Sequence, residues 1–223
     1  MDLKQALAYP ARDSKWWLKC IIAFFLCLTV IGSPFVVGYC LRLAKLASQN
    51  NCDGLMPEWD DWGGLFMDGL RVMGMQLGYS LPAIVVMFAG IFLGGGLAMI
   101  TNDNSGAAAG GGMLIMFAAM GIGLLLIIPC AFLMAVAYLF LMQDAPLGEC
   151  FALGRVMEIA KANLGSIFMF IVFSAILNIV ANVIGQLTMG IGAIIATPYA
   201  LFATSILYAQ LSRILAHNFD KVY

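Results

Sequence analysis

Charged residues divide the chain into long stretches that contain none. Four such stretches follow one another: Cys20–Leu41, Val72–Asn102, Asn104–Gln143 and Ala162–Ser212. A helix crosses a bilayer with about 20 predominantly apolar residues, so each stretch is long enough to cross. The last one is long enough to cross twice, because a polar, glycine-containing patch interrupts its middle. The pattern predicts an all-α integral membrane protein with four transmembrane helices and one further membrane segment near the N-terminus.

These predicted elements form a single membrane domain, residues 1–223. They are, in chain order, an N-terminal segment 1–19, a first membrane segment or hairpin 20–48, an interfacial helix 57–74, transmembrane helices 75–100 and 113–141, a second interfacial helix 146–161, and transmembrane helices 163–184 and 188–212. A kink is expected at Pro82. The glycine-rich stretch 101–112 lacks apolar periodicity and predicts a flexible external loop.

The first membrane segment allows two topologies. Residues 20–41 either cross once or turn back at Gly32–Pro34 as a short hairpin. A single crossing leaves four basic residues on one side and seven on the other, whereas the hairpin gathers all 11 on one side. The positive-inside rule favours the hairpin, which places the N- and C-termini in the cytoplasm. Its unpaired backbone groups then need cover from neighbouring helices or a partner.

Composition supports a multi-pass protein of the cell (inner) membrane. Hydrophobic residues make up 63% and charged residues 10%, against about 25% charged in soluble domains. The 11 basic and 12 acidic residues nearly cancel and form no basic run, so no nucleic-acid partner is expected. With a single histidine and no common catalytic or nucleotide-binding motif, we expect no enzyme activity and no catalytic, cofactor or metal site.

The cysteines give no disulfide framework. Four of them lie in apolar stretches and Cys150 lies in a short connector, which leaves Cys52 as the one in an evidently watery loop.

The densest group of polar and aromatic residues precedes the second uncharged stretch. This candidate interfacial motif comprises Glu58, Trp59, Asp60, Asp61, Trp62, Asp68 and Arg71. We interpret Asp60 or Asp61 as the cap of the interfacial helix, with the two indoles at headgroup depth. A hard-cation site is the alternative, although the spacing does not follow an EF-hand loop.

Two features lie inside the predicted membrane helices. Asn178, Asn182 and Gln186 recur every four residues and predict a polar stripe, used either for interhelical hydrogen bonds or as the wall of a polar pathway. Small-residue spacing makes four glycines candidates for helix packing, within the bundle or against a partner: Gly74, Gly78, Gly90 and Gly94. The four spans hold no deep charged residue or histidine, which argues against active transport.

Several short motifs of the first third occur in a recognisable order. They read AYPARD at 8–13, WWLK at 16–19, GYCLRLAK at 38–45 and MPEWDDWGGLFMDGLR at 56–71. Over residues 8–82 the chain resembles the prokaryotic integral membrane family known as domain of unknown function 4013, and beyond that it is similar in hydropathy only. The resemblance implies a prokaryotic membrane protein and no activity, cofactor or substrate.

These observations favour a non-enzymatic structural or accessory subunit of a larger membrane assembly. Its expected partners are membrane lipids together with other membrane protein subunits or further copies of itself. The alternative is a passive channel or carrier for a small solute or lipid, lined by Asn178, Asn182 and Gln186.

Overall fold

The computed structural model describes residues 1–50, 52, 55–100 and 107–219, and within these ranges every regular element is helical. The helices are α1 (Leu3–Ala11), α2 (Trp16–Cys27), α3 (Ser33–Gln49), α4 (Trp62–Ile100), α5 (Ala107–Met142), α6 (Leu147–Cys150), α7 (Leu153–Ala162), α8 (Leu164–Leu187) and α9 (Ala193–Phe219). Four segments are long and apolar enough to cross a membrane: Trp62–Gly96, Gly110–Met142, Leu164–Leu187 and Ala193–Ala216. The predicted all-α membrane class is confirmed.

The chain divides into two compact units. The first consists of Met1–Met75 with Ala135–Tyr223, and the second of Gln76–Met134. In the first unit α9 packs against α8, α3, α2 and α1. Its inward side chains, among them Phe202, Ile206 and Leu207, are fully buried. Burial of this apolar stripe against four helices makes α9 the centre of the unit.

Helices α2 and α3 form a hairpin. The hydroxyl of Thr29 accepts a hydrogen bond from the backbone N–H of Gly32 at 3.0 Å, which closes the turn between them. Pro34 then lies in the first turn of α3, where its missing N–H costs no helical bond. Lys19 of α2 and Tyr39 of α3 both reach the segment that precedes α4. The chain therefore turns back here, as in the hairpin alternative, and has no single straight helix over residues 20–41.

The α4 and α5 boundaries differ from the predicted ones. One continuous helix, α4, replaces an interfacial helix at 57–74 followed by a separate span at 75–100. No breaker stronger than an isolated glycine separates the two, and one glycine costs a helix only about 1 kcal/mol. Helix α5 begins at Ala107, so residues 107–112 of the predicted loop are helical, since three alanines favour that state. Residues 101–106 lie outside the described part.

Helix α9 begins five residues later than the predicted span at 188–212. Met189 and Gly190 adopt left-handed backbone angles, with φ of 52° and 92°. The hydroxyl of Thr188 accepts the N–H of Gly192 at 2.7 Å and stabilises the resulting turn. The predicted helix 146–161 is likewise divided into α6 and α7.

The second unit contains the close contacts between α4 and α5. A Cβ on Gly90 would overlap the Cβ of Ala119, and one on Gly94 would meet the side chain of Met116. Two helix backbones can approach this closely only where side chains are absent. In the first unit Gly74 faces open space, and Gly78 of the second is half-buried.

Candidate functional site

The motif residues of the first third meet around a non-helical segment, residues 55–61, called here the acidic connector. Lys19 of α2 is the most buried of the charged side chains around the connector, with 2% of its side chain exposed. Its Nζ donates to Oδ2 of Asp13 at 2.7 Å and to the carbonyl of Met56 at 3.1 Å. A third bond, of 3.2 Å, reaches Oε1 of Glu58, whose side chain is exposed. Lys19 thus ties α2 to the connector.

Four side chains from α1, α2, α3 and the bend after α1 donate to backbone carbonyls in the connector and at Cys52, just before it. The pairs are Arg12 to Cys52 at 3.2 Å, Tyr9 to Leu55 at 3.3 Å, Lys19 to Met56 at 3.1 Å and Tyr39 to Pro57 at 2.7 Å. Backbone outside a helix has no internal partners, and leaving a buried carbonyl unpaired costs about 1–3 kcal/mol. These donors stabilise the connector in its irregular path.

The Asp13 carboxylate forms an ion pair with Lys19. Burial would raise the pKa of Asp13, but the hydrogen bond from Lys19, a second bond from the backbone N–H of Lys15 and the two lysine charges hold it below its ordinary value. Asp13 therefore stays ionised at neutral pH and forms a buried ion pair.

Aromatic rings cover the connector from one side. The ring of Trp59 stacks on that of Tyr39 with centroids 4.1 Å apart and an angle of 10° between the planes. The ring centroids of Trp59 and Trp62 are 5.8 Å apart, and Phe202 of α9 also packs against Tyr39, with centroids 5.3 Å apart. The indole Nε1 of Trp59 is buried without a hydrogen-bond partner among the described residues. The indoles thus form one stack with Tyr39.

Asp61, one of the two residues predicted to cap the interfacial helix, caps α4. Its Oδ1 accepts the N–H of Gly64 at 3.0 Å, and its Oδ2 accepts a 2.7 Å bond from Arg42. The bond from Arg42 and the bond from Gly64 lower the pKa of Asp61. Arg42 also reaches Asp68 at 3.2 Å, and Arg71 lies 3.8 Å from the same carboxylate.

This pairing bears on the cation-site alternative. Glu58, Asp61 and Asp68 each contact a basic side chain, and Asp60 accepts the N–H of Asp61 at 2.9 Å. In the part of the chain that the structure describes, no three acidic, histidine or cysteine side chains converge as metal ligands. The carboxylates are arranged for ion pairs with Lys19 and Arg42.

Two motif glycines bring α3 and α4 into backbone contact. A Cβ on Gly38, of the GY motif, would overlap the carbonyl oxygen of Leu65. A Cβ on Gly69, of the DG motif, would overlap the carbonyl oxygen of Pro34. Any other residue would push the helices apart and move Tyr39 away from the connector.

The prediction of a watery environment for Cys52 is wrong. Cys52 is fully buried, and Arg213 of α9 donates to its sulfur at 2.9 Å. Nearby, the carboxamide of Gln210 binds both the backbone N–H of Asp2 at 2.7 Å and its carbonyl at 3.0 Å. Helix α9 thus contacts both Cys52 and the residue that precedes α1, which composition alone could not reveal.

The polar stripe of α8 lies on the outer surface of the chain. Asn178, Asn182 and Gln186, called here the amide face, are all exposed. Asn178 donates to the carbonyl of Ser174 and Asn182 to that of Asn178, each at 2.8 Å. A pocket of about 340 Å³ lies beside Asn182 and Gln186, with Gly185, Gly190 and Ala193 in its wall. Asn178 and Asn182 thus each form one hydrogen bond within α8.

Sequence reasoning missed Lys19, Asp13, Tyr39 and Arg42 as site residues. Lys19 belongs to the WWLK motif and bounds an apolar stretch, but neither feature predicts a buried ion pair. Its three acceptors come from two separate places in the chain, Asp13 and the connector residues Met56 and Glu58, which no local pattern brings together.

The fold and this site define an all-α membrane protein whose motifs organise its own backbone. A family model described as "Protein of unknown function (DUF4013)" matches residues 21–190, so the chain belongs to that family. The resemblance seen in the sequence is confirmed, and the match extends well past residue 82. A search of the curated proteins gives no match, and neither does a search of the solved structures.

Proposed function

We propose that the chain is a non-enzymatic subunit, structural or accessory, of a larger membrane protein assembly in the cell (inner) membrane. The observation that carries the proposal is the exposure of the amide face on a helix apolar enough to cross the bilayer. Carboxamides that face lipid lose their hydrogen bonds to water, at a cost of some 1–3 kcal/mol each. A partner surface removes that cost.

The acidic connector supports a structural role. Glu58 pairs with Lys19 and Asp61 with Arg42, while Asp60 accepts the backbone N–H of Asp61. A reacting group needs a free lone pair or an available proton, together with room for a substrate. The carboxylates of the connector are instead hydrogen-bonded within the chain, as expected of a segment that holds helices in position.

Copurification tests this proposal. A tagged full-length chain, expressed at its native level and extracted in mild detergent, should bring down one or more membrane proteins in fixed stoichiometry. Replacing Asn178, Asn182 and Gln186 by leucine should release them. Val180→Leu, on the opposite side of α8, is the matched control and should keep them. A monodisperse monomer with no partner would contradict the proposal.

The cytoplasmic location of both termini is part of the same proposal. It is supported by the α2–α3 hairpin, which brings Lys19 and Arg42 to the same connector. Single cysteines at Lys4, Gln49 and Ser105, in a chain without native thiols, provide the test. Only position 105 should react with an impermeant maleimide in intact cells. Labelling at 4 and 105 but not 49 would establish a single crossing.

A passive carrier or channel is the second candidate, favoured by the pocket beside Asn182 and Gln186. Its polar wall could bind a small solute or a lipid headgroup. The purified chain in liposomes should then conduct a solute flux that Asn182→Leu reduces at least tenfold. Flux unchanged by this substitution would remove the candidate.

A further inference from the structure

We infer that the amide face of α8 binds the same face of a second copy of this chain. The inference rests on the proposed function and identifies one partner within the assembly. It follows from the hydrogen-bonding chemistry of the three side chains, from their spacing and from the pocket beside them.

A carboxamide carries two N–H donors and a carbonyl acceptor. Asn178 and Asn182 each use one N–H within α8, which leaves the side-chain oxygen and the second N–H directed outward. A row of carboxylates or ammonium groups would repel its own copy. A row of amides complements itself, because every member both donates and accepts.

The spacing of the three side chains lets the amide faces of two copies match by symmetry. Residues four apart lie about 6 Å apart along a helix, so the amide face is a row inclined by about 26° to the axis of α8. A twofold axis along the membrane normal places each residue opposite its own copy at the same depth. An unrelated partner would need polar groups at three matching depths, whereas a second copy has them by symmetry.

The pocket beside the amide face allows a close approach. Small residues, Gly185, Gly190 and Ala193, form part of its wall, and its volume is about 340 Å³. Transmembrane helices associate through such small-residue surfaces, because packing and short hydrogen bonds both need near backbones. The pocket can receive a side chain from the facing copy.

Disulfide trapping in native membranes tests the contact. In a full-length chain without native cysteines, Asn178→Cys and Asn182→Cys should give oxidised dimers. Val180→Cys is the matched control: it lies between them in depth, is 50% exposed and points to the opposite side of α8. Dimers at 178 and 182 but not at 180 are the expected result. No dimers, or equal dimers at all three positions, would overturn the inference.

A second measurement avoids dependence on cysteine variants. Energy transfer between labelled copies in liposomes should report self-association. Asn182→Gln should retain this association, whereas Asn182→Leu should weaken it about three- to fivefold, because that is the effect of losing one intramembrane hydrogen bond. Equal association of both variants would count against the inference. If other proteins copurify but no copies cross-link, the inference fails and the proposed function stands. If copies cross-link and nothing else copurifies, the inference stands and the larger assembly fails.

Discussion

Removing the charge of Lys19 should destabilise the protein far more than removing any exposed lysine. Lys19→Met keeps the length of the side chain but leaves the carboxylate of Asp13, which is 6% exposed, without its 2.7 Å partner. Breaking a buried pair from one side costs about 3–5 kcal/mol. The bond to Glu58 adds little, because that carboxylate is 64% exposed. We therefore expect a loss of about 3–5 kcal/mol in the free energy of unfolding.

The assay is reversible unfolding in mixed micelles titrated with SDS, followed by tryptophan fluorescence and circular dichroism. Lys15→Met is the matched control, since Lys15 is exposed and its contact with Asp13 is made by the backbone N–H. It should change the unfolding free energy by less than about 0.5 kcal/mol. Adding Asp13→Asn to Lys19→Met should recover much of the loss, because no buried charge then remains.

The pH dependence gives an independent check. In the wild type the pKa of Asp13 is lowered, so its stabilising effect is present above the ordinary pKa of about 3.9 and is lost as pH falls through the lowered value. Without Lys19, only the backbone bond and the charge of Lys15 oppose the effect of burial, so we expect the pKa of Asp13 to rise. The deficit of Lys19→Met should then shrink as the pH falls and Asp13 becomes protonated. A deficit equal to that of Lys15→Met, or a double variant less stable than Lys19→Met alone, would refute the reasoning.

Three further changes test the helix contacts. Gly38→Ala should cost about 1–3 kcal/mol in the same titration, because its methyl group overlaps the carbonyl of Leu65, whereas Gly74→Ala, facing open space on α4, should be neutral or stabilising. Gly90→Ala should lower the thermal stability of the detergent-solubilised protein by overpacking against α5. Asp61→Ala should destabilise the protein more than Asp61→Asn, since asparagine still caps α4; equal losses would exclude the cap as the cause.

The all-α membrane class could be predicted from the sequence because it depends on hydropathy, to which every residue contributes. Only helices with internal bonds, or closed barrels, satisfy the backbone in lipid, so long uncharged stretches translate directly into long helices. The start of α9 could not be predicted in this way. It depends on a turn in which Met189, a residue other than glycine, takes a left-handed conformation, and hydropathy carries no signal for that conformation.

The site was predictable only where its chemistry is local. Asp61 caps the helix that begins at the next residue, and a cap can be recognised from a few adjacent positions. The roles of Lys19 and Cys52 depend on segments far away in the chain. A lysine next to an apolar stretch suggests a membrane boundary, and only the tertiary fold shows that the side chain is buried.

The motif chemistry of this protein and the association surface proposed for it therefore lie in different places. Tyr9, Lys19 and Tyr39 donate to backbone carbonyls of the acidic connector, so their contribution is complete within the single chain. Groups that are already satisfied have little to offer a partner or a substrate. The amide face of α8 is the reverse case, since it is exposed and retains donors and acceptors. A substitution in the connector should thus change stability first, and one on the amide face should change association while the fold persists.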